Sequence, residues 1–257
     1  MMDKPTIQDG AGLGGGRWLR FDTLDSTNAW ALAHAGELRH GDVVQAVRQT
    51  AGRGRLGRSW AAPADRALTL SVALRETPAG LRPHNLTQVA ALAVRDLLAD
   101  ERIACALKWP NDVFASGFKI CGILAETDPT GACHVVGIGL NVNLSDADFA
   151  GLDLRQPATS MMLQRGDLFD VAGVGARLIG KLAEVWRRLA TSGMAGLRAE
   201  WAAHDGLAHQ RVRVTQGDAI LTGRYTGLGE GGFLTLVDDA GQPHTVQAGD
   251  LERLGPA

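Results

Sequence analysis

Arg48, Arg53, Arg55 and Arg58 stand within one short glycine-rich stretch, Arg48-Gln49-Thr50-Ala51-Gly52-Arg53-Gly54-Arg55-Leu56-Gly57-Arg58-Ser59-Trp60, and no acidic residue occurs between Asp42 and Asp65. The chain as a whole carries a net charge of -2, so this positive field is local. Arginine's planar fork matches phosphate oxygens and stays charged at any working pH, and glycine lets backbone approach a bound group closely. The stretch reads as a loop that holds a phosphate or acyl phosphate, against the plainer reading of a solvated surface loop. Gly52 to Gly57 satisfies G-x-G-x-x-G, yet Arg58-Ser59-Trp60 and then Pro63 make a poor helix start. The lysine and hydroxyl residue that end a P-loop are also missing, so both standard nucleotide folds are disfavoured.

Three further stretches carry chemistry only in combination. Lys108-Trp109-Pro110-Asn111-Asp112 follows a strand-like run. It reads equally as a strand-ending turn with a half-buried tryptophan and as an amide and a carboxylate presented to a nucleotide or its Mg2+. Lys119-Ile120-Cys121-Gly122-Ile123-Leu124 puts a lysine at the entrance of an apolar strand, where lysine most often snorkels. Gly137-Ile138-Gly139-Leu140-Asn141-Val142-Asn143 alternates glycine with branched residues, a pattern expected where something approaches the strand backbone. The histidines show no metal-ligand spacing, and no serine has the G-x-S-x-G setting of a nucleophile elbow. No permanent metal is expected.

The elements that must position these residues are those of a soluble α+β protein. With 257 residues, 45% hydrophobic and 21% charged, the chain suits one large domain with a small appendix rather than a disordered or fibrous class. No run approaches the roughly 18 apolar residues of a membrane span. Three cysteines, odd in number and far apart, fit a reduced cytoplasmic protein. Strands are expected over Asp42–Val47, Ala67–Leu74, Ala104–Lys108, Lys119–Glu126 and His134–Asn143. The alternation Leu68-Thr69-Leu70-Ser71-Val72 implies one buried and one more polar face. Helices are expected from Leu86 through Leu97 and over Val171 to Leu189, with a shorter one capped within Asp25-Ser26-Thr27-Asn28. Residues 1–16 read as a flexible leader, 17–207 as the catalytic unit, and 208–257 as a small antiparallel barrel.

Taken together and in order, Asp25-Ser26-Thr27-Asn28, the arginine loop, Lys108-Trp109-Pro110-Asn111-Asp112, Lys119 to Glu126 and Gly137 to Asn143 resemble the biotin protein ligases. The resemblance runs from about Arg17 to the C-terminus. It implies a mixed-sheet catalytic domain with a small SH3-like C-terminal barrel. It also implies an ATP-dependent ligase that makes biotinyl-5′-AMP and transfers biotin to a lysine of a biotin carboxyl carrier protein. Biotin and ATP with Mg2+ are then substrates, and no cofactor is tightly bound.

By the same resemblance Ser26, Thr27 and Asn28 meet the ureido ring, and Gln49 also contacts biotin. Arg53, Gly54 and Arg55 close over biotin and the adenylate phosphate, while Arg58 and Trp60 shape that loop and its nucleotide contacts. Lys119 reaches the carboxyl–phosphate junction, Asn141 the adenine, and Asn111 and Asp112 the nucleotide side. Catalysis is thus expected from Arg53, Arg55 and Lys119. Bifunctional members carry an N-terminal DNA-binding domain, whereas the segment before Ser26 here is glycine-rich without helical periodicity. The chain resembles the monofunctional class, with no specific DNA and no membrane as partner and a homodimer allowed by the family. Two rivals stand beside this reading: a lipoate or octanoate ligase or transferase of the same fold, and a non-enzymatic nucleic-acid-binding regulator.

Overall fold

The computed structural model describes residues 4–254; the first and last three residues expected in the leader and the small barrel lie outside the described residues. The strands are β1 (Thr6–Gln8), β2 (Trp18–Leu24), β3 (Val43–Gln49), β4 (Ala67–Leu74), β5 (Cys105–Lys108), β6 (Asp112–Ala115), β7 (Phe118–Thr127), β8 (His134–Asn141), β9 (Arg211–Gln216), β10 (Ala219–Leu228), β11 (Leu234–Val237), β12 (Pro243–Val246) and β13 (Asp250–Arg253). The helices are α1 (Thr27–Ala33), α2 (Leu86–Asp100), α3 (Asp146–Ala150), α4 (Met161–Arg165) and α5 (Val171–Ala202).

Eight strands form one mixed sheet in the order β1-β2-β3-β4-β8-β7-β6-β5. Only the β2–β3 pair is parallel, as the crossover through α1 requires. Period-two alternation assigns the two faces. Leu68, Leu70, Val72 and Leu74 of β4, with Val136, Ile138 and Leu140 of β8, join the core formed with α2 and α5. On the opposite face Thr69 and Ser71 of β4 and Gly137 and Gly139 of β8 line or underlie a cleft. The polar face expected for β4 is therefore buried as well, since every residue of that strand is buried.

The stretch expected as a flexible leader is built into the sheet instead. β1 pairs with β2, and Gly12 to Gly16 are held against Gly41 through Leu13 N–H donating to Gly41 O at 2.8 Å. Backbone pairing supplied what side-chain periodicity did not signal.

Arg17 and Asp42 clamp the starts of the parallel strands. Asp42 accepts from Arg17 N (2.7 Å), Arg17 Nε (3.0 Å), Arg17 Nη2 (2.5 Å) and Arg39 N (2.8 Å), with its side chain fully buried. Burial alone would raise its pKa, but the hydrogen bonds from Arg17 and Arg39 outweigh that and hold it below the ordinary value. A lowered carboxylate contributes stability above its unfolded pKa of about 3.9, and loses it as pH falls through the lower folded value. Asp42→Asn is thus expected to melt earlier at pH 7 and to show a shallower acid decline below pH ~4. Thermal melts from neutral to acid pH check this; equal melting temperatures at pH 7 would count against the clamp.

The segment after α5, whose composition changes near Ala203–His209, leads into a five-stranded antiparallel sheet of order β12-β11-β10-β9-β13. Four of these strands lie on the runs expected from sequence to form the small barrel, Val212–Val214, Ala219–Tyr225, Phe233–Val237 and His244–Gln247, while β13 has no counterpart there. β12 and β13 are not paired among the described residues, so the sheet is open. Closure needs hydrogen bonds between those edge strands, which alternation within each strand does not specify. Asp205 fastens this sheet to the main body, accepting from Tyr225 Oη (2.5 Å), Trp201 Nε1 (3.0 Å) and Leu207 N (3.0 Å).

Candidate active site

Ser26 caps α1, its Oγ accepting from Ala29 N at 3.4 Å, as the cap signal in the sequence implied. This aims the first turn of α1 at β8. Thr27 N donates to Gln49 Oε1 (2.7 Å), and Ser71 Oγ lies 2.7 Å from Thr27 Oγ1 and 2.6 Å from Asn28 Oδ1. Asn28 Nδ2 donates to Leu124 O (3.1 Å) and Glu126 Oε2 (3.0 Å). Asn28 is buried with oxygen and amide hydrogens all engaged, so its neighbours hold it in one orientation.

The two glycines of β8 explain their own presence. A Cβ on Gly137 would stand 2.3 Å from Asn28 Oδ1, and one on Gly139 would stand 2.5 Å from Trp60 Cε2. Helix α1 and the indole of Trp60 thus rest on bare backbone, the close approach expected from the alternation. Asn141 follows on the same face and donates Nδ2 to Thr159 O at 3.0 Å. Gly137 to Asn141 spans about 13 Å along the strand.

The arginine loop crosses above. It is no helix start: Trp60 N donates to Gly52 O and Gly54 N to Arg58 O, and a short 3-10 turn over Arg55–Gly57 sets Leu56 at φ +56°. A non-glycine residue at positive φ is uncommon, and Leu56 is also exposed at the loop tip. Arg53 pairs with Glu126, and Arg58 pairs with Asp250 of β13. Arg55 donates to Asn111 Oδ1 (3.2 Å) and Gly249 O (3.4 Å). Burial pulls the Arg55 pKa down, partly countered by Asp250 and Asp112. For Asp250 burial pushes upward, but the hydrogen bond and charge of Arg58 prevail and hold the carboxyl low.

Lys119 Nζ lies 2.7 Å from Asp112 Oδ1, an ion pair lacking hydrogen-bond alignment. Its placement depends on a β-bulge. Val113 pairs with Cys121 while Phe114 pairs with Lys119, so Ile120 is an extra residue in β7. Residues three apart in a regular strand face opposite ways; the inserted residue brings Lys119 and Gly122 to one face. The lysine then lies across Gly122, where an added Cβ would be 3.1 Å from both Cε and Nζ. Asn111 ties β6 to β7, donating Nδ2 to Ile123 O at 2.8 Å. Trp109, half-buried in one of the two readings of this segment, is buried and belongs to the main core.

Ser26, Thr27, Asn28, Gln49, Arg53, Gly54, Arg55, Arg58, Trp60, Asn111, Asp112, Lys119 and Asn141 all line one cleft of about 790 Å3. Arg48 does not; it is exposed on β3. Sequence reasoning missed Ser71, which lies under α1, although the polar alternation of β4 signals such a residue. It missed Lys108 as a cleft cation in its own right. It also missed Asp250, which no local pattern marks. Neutral hydrogen-bonding groups gather around α1, with Arg53 beside them on Glu126, and Arg55 and Arg58 line the cleft toward β13. That arrangement can bind an uncharged polar ring at one end and bring an anion against a phosphate at the other.

A sequence profile described as the Biotin/lipoate A/B protein ligase family matches residues 18–143. The chain is 35% identical over 227 residues to the biotin--[acetyl-CoA-carboxylase] ligase of Paracoccus denitrificans, covering 85% of this chain and 93% of that protein. It is 35% identical over 270 residues to the ligase of the same name from Mycobacterium tuberculosis, covering 98% and 96% respectively. A solved structure, the biotin protein ligase from Aquifex aeolicus in complex with biotin and ATP, is similar with a TM-score of 0.79 and 25% identity. That likeness covers 92% of this chain and 99% of the other.

Proposed function

The chain belongs to the biotin/lipoate A/B protein ligase family, among its biotin ligases, and from that premise we propose that it activates biotin with ATP and attaches it to a carboxylase lysine. The observation that carries this reading is the single cleft with neutral amide and hydroxyl groups around α1 and cations at Arg53, Arg55, Arg58 and Lys119. The biotin carboxylate attacks the α-phosphorus of MgATP. The bond from that phosphorus to the bridging oxygen breaks, and pyrophosphate leaves. The amine of a biotin carboxyl carrier protein then attacks the acyl carbon, its proton is lost, and AMP departs. No covalent enzyme intermediate is needed.

Ser26, Thr27 and Gln49 hold the ureido edge, with Asn28 keeping the pocket's shape and Glu126 anchoring Asn28. Lys119 meets the carboxyl–phosphate junction, where two anions must approach. Arg53 and Arg55 exchange their present partners for the phosphate, Arg58 turns toward the departing pyrophosphate, and the loop with Gly54 closes to keep water from the adenylate. Asn111 and Asp112 serve the nucleotide side, Trp60 walls it, and Asn141 faces the adenine. Residues 17–207 form the catalytic domain and 208–257 the C-terminal domain. Three free cysteines fit a cytoplasmic enzyme.

The test is incubation of the protein with MgATP and biotin, without carrier, followed by mass spectrometry. Biotinyl-5′-adenylate is expected, and none of the corresponding product from lipoate or octanoate in parallel. Product from another acid but not biotin would replace the substrate. No adenylate from any acid, with folded protein, would overturn the ligase reading.

A further inference from the structure

Lys108 ends β5 with its neighbour Leu107 fully buried against α2, so period-two alternation turns Lys108 to the opposite face, where it lines the cleft. It is half-buried, with Nζ 5.2 Å from the centre of the Phe114 ring. Most other cations of this wall have polar partners: Glu126 for Arg53, Asp250 for Arg58 and Arg155, Asp112 for Lys119, and Asn111 with Gly249 O for Arg55. Arg253 of β13 also lines the cleft without such a partner among the described residues, but it is exposed to solvent, whereas Lys108 is not. Among the described residues Lys108 has no ion pair within 4.0 Å and no hydrogen bond, the nearby charges acting on it only from farther away. These are Asp112, Glu252 and Asp250, which attract, and Lys119, which repels. Burial outweighs them and draws its pKa below the ordinary lysine value. The Phe114 ring offsets only part of the cost of a partly desolvated ammonium that has no ionic or hydrogen-bonding partner, and an anion arriving in the cleft would meet the rest.

Its surroundings say which anion. Lys108 shares the cleft with Lys119, assigned above to the carboxyl–phosphate junction, and with Asp250 and Glu252 of β13, the first of which holds Arg58. We propose that Lys108 is a phosphate-binding residue for the pyrophosphate end of MgATP, in contact during adenylate formation and idle once pyrophosphate has left. This rests on the ligase reading given above. An ammonium on a compact stem suits a terminal phosphate whose charge it meets as a point rather than as a planar fork.

The contact is tested by separating the half-reactions in Lys108→Gln and Lys108→Arg. In Lys108→Gln the KM for ATP in carrier-free activation should rise about 10- to 100-fold, as for loss of a hydrogen bond to a charged group, and pyrophosphate should inhibit correspondingly less. Transfer from synthetic biotinyl-5′-AMP to the carrier protein, and biotin affinity, should match wild type. Lys108→Arg should recover most of the ATP affinity. An unchanged KM for ATP in Lys108→Gln, or transfer slowed as much as activation, would overturn the assignment. Wild type failing to form adenylate at all would instead overturn the ligase reading, so the two failures are told apart.

Discussion

Lys119→Met is expected to slow biotin activation by about 10²–10³-fold, the usual consequence of removing one aimed positive donor from a reacting centre. Methionine keeps the length and apolar stem, so the slender chain across Gly122 is preserved while the charge is lost. Biotin's carboxylate and the α-phosphate must then meet without the cation beside Asp112, and Asp112 Oδ1, 2.7 Å from Nζ in wild type, faces the cleft uncompensated. The ground state loses little, because the ureido pocket around α1 does not involve Lys119. The measurement is single-turnover adenylate formation, with biotin affinity by calorimetry and a thermal melt as controls. A rate within about tenfold of wild type would remove Lys119 from the reacting centre. A parallel loss of biotin affinity of that size would make its role one of binding.

Gly137→Ala is expected to weaken biotin binding by about 100-fold. The added Cβ would stand 2.3 Å from Oδ1, 2.9 Å from Cγ and 3.2 Å from Nδ2 of Asn28. Asn28 is buried and cannot yield without releasing Ser71 Oγ, Leu124 O or Glu126 Oε2. Overpacking a buried site costs roughly 1–3 kcal/mol, and an unpaired polar group left behind adds a similar amount. Part of this falls on overall stability; the remainder moves the first turn of α1, which carries Ser26 and Thr27. About 3 kcal/mol of displaced pocket geometry corresponds to that 100-fold loss. Calorimetric titration with biotin reads the effect directly. Wild-type affinity in the variant would mean that α1 does not set the pocket; loss relieved by also shortening Asn28 to serine would locate the clash where the distances put it.

Much of the fold could be read before any coordinates. β4 occupies the residues its alternation marked, α2 and α5 begin where their periodicity begins, and Ser26 is the cap of α1. α5 runs on to Ala202, bending at Gly193, beyond the Leu189 expected from its apolar spacing. β2 and β6 were not anticipated, the second because Asp112 reads as a turn residue yet pairs with Gly122. The leader segment was misjudged because glycine richness signals flexibility only when no neighbouring backbone offers pairing, and here β2 and Gly41 do.

By itself the sequence determined which chemistry the cleft holds: a cationic glycine loop, a cap of neutral side chains, and glycines alternating along β8. These are local properties, set by residue type and by spacings of two to four. Only the tertiary structure decided how they meet. The bulge at Ile120 turns Lys119 onto the face of Gly122, and Asp250, 192 residues from Arg58, takes that arginine as its partner. Lys108 is left without one. Strand register and the docking of a distant sheet depend on whole faces packing together, and no short window of residues carries that information.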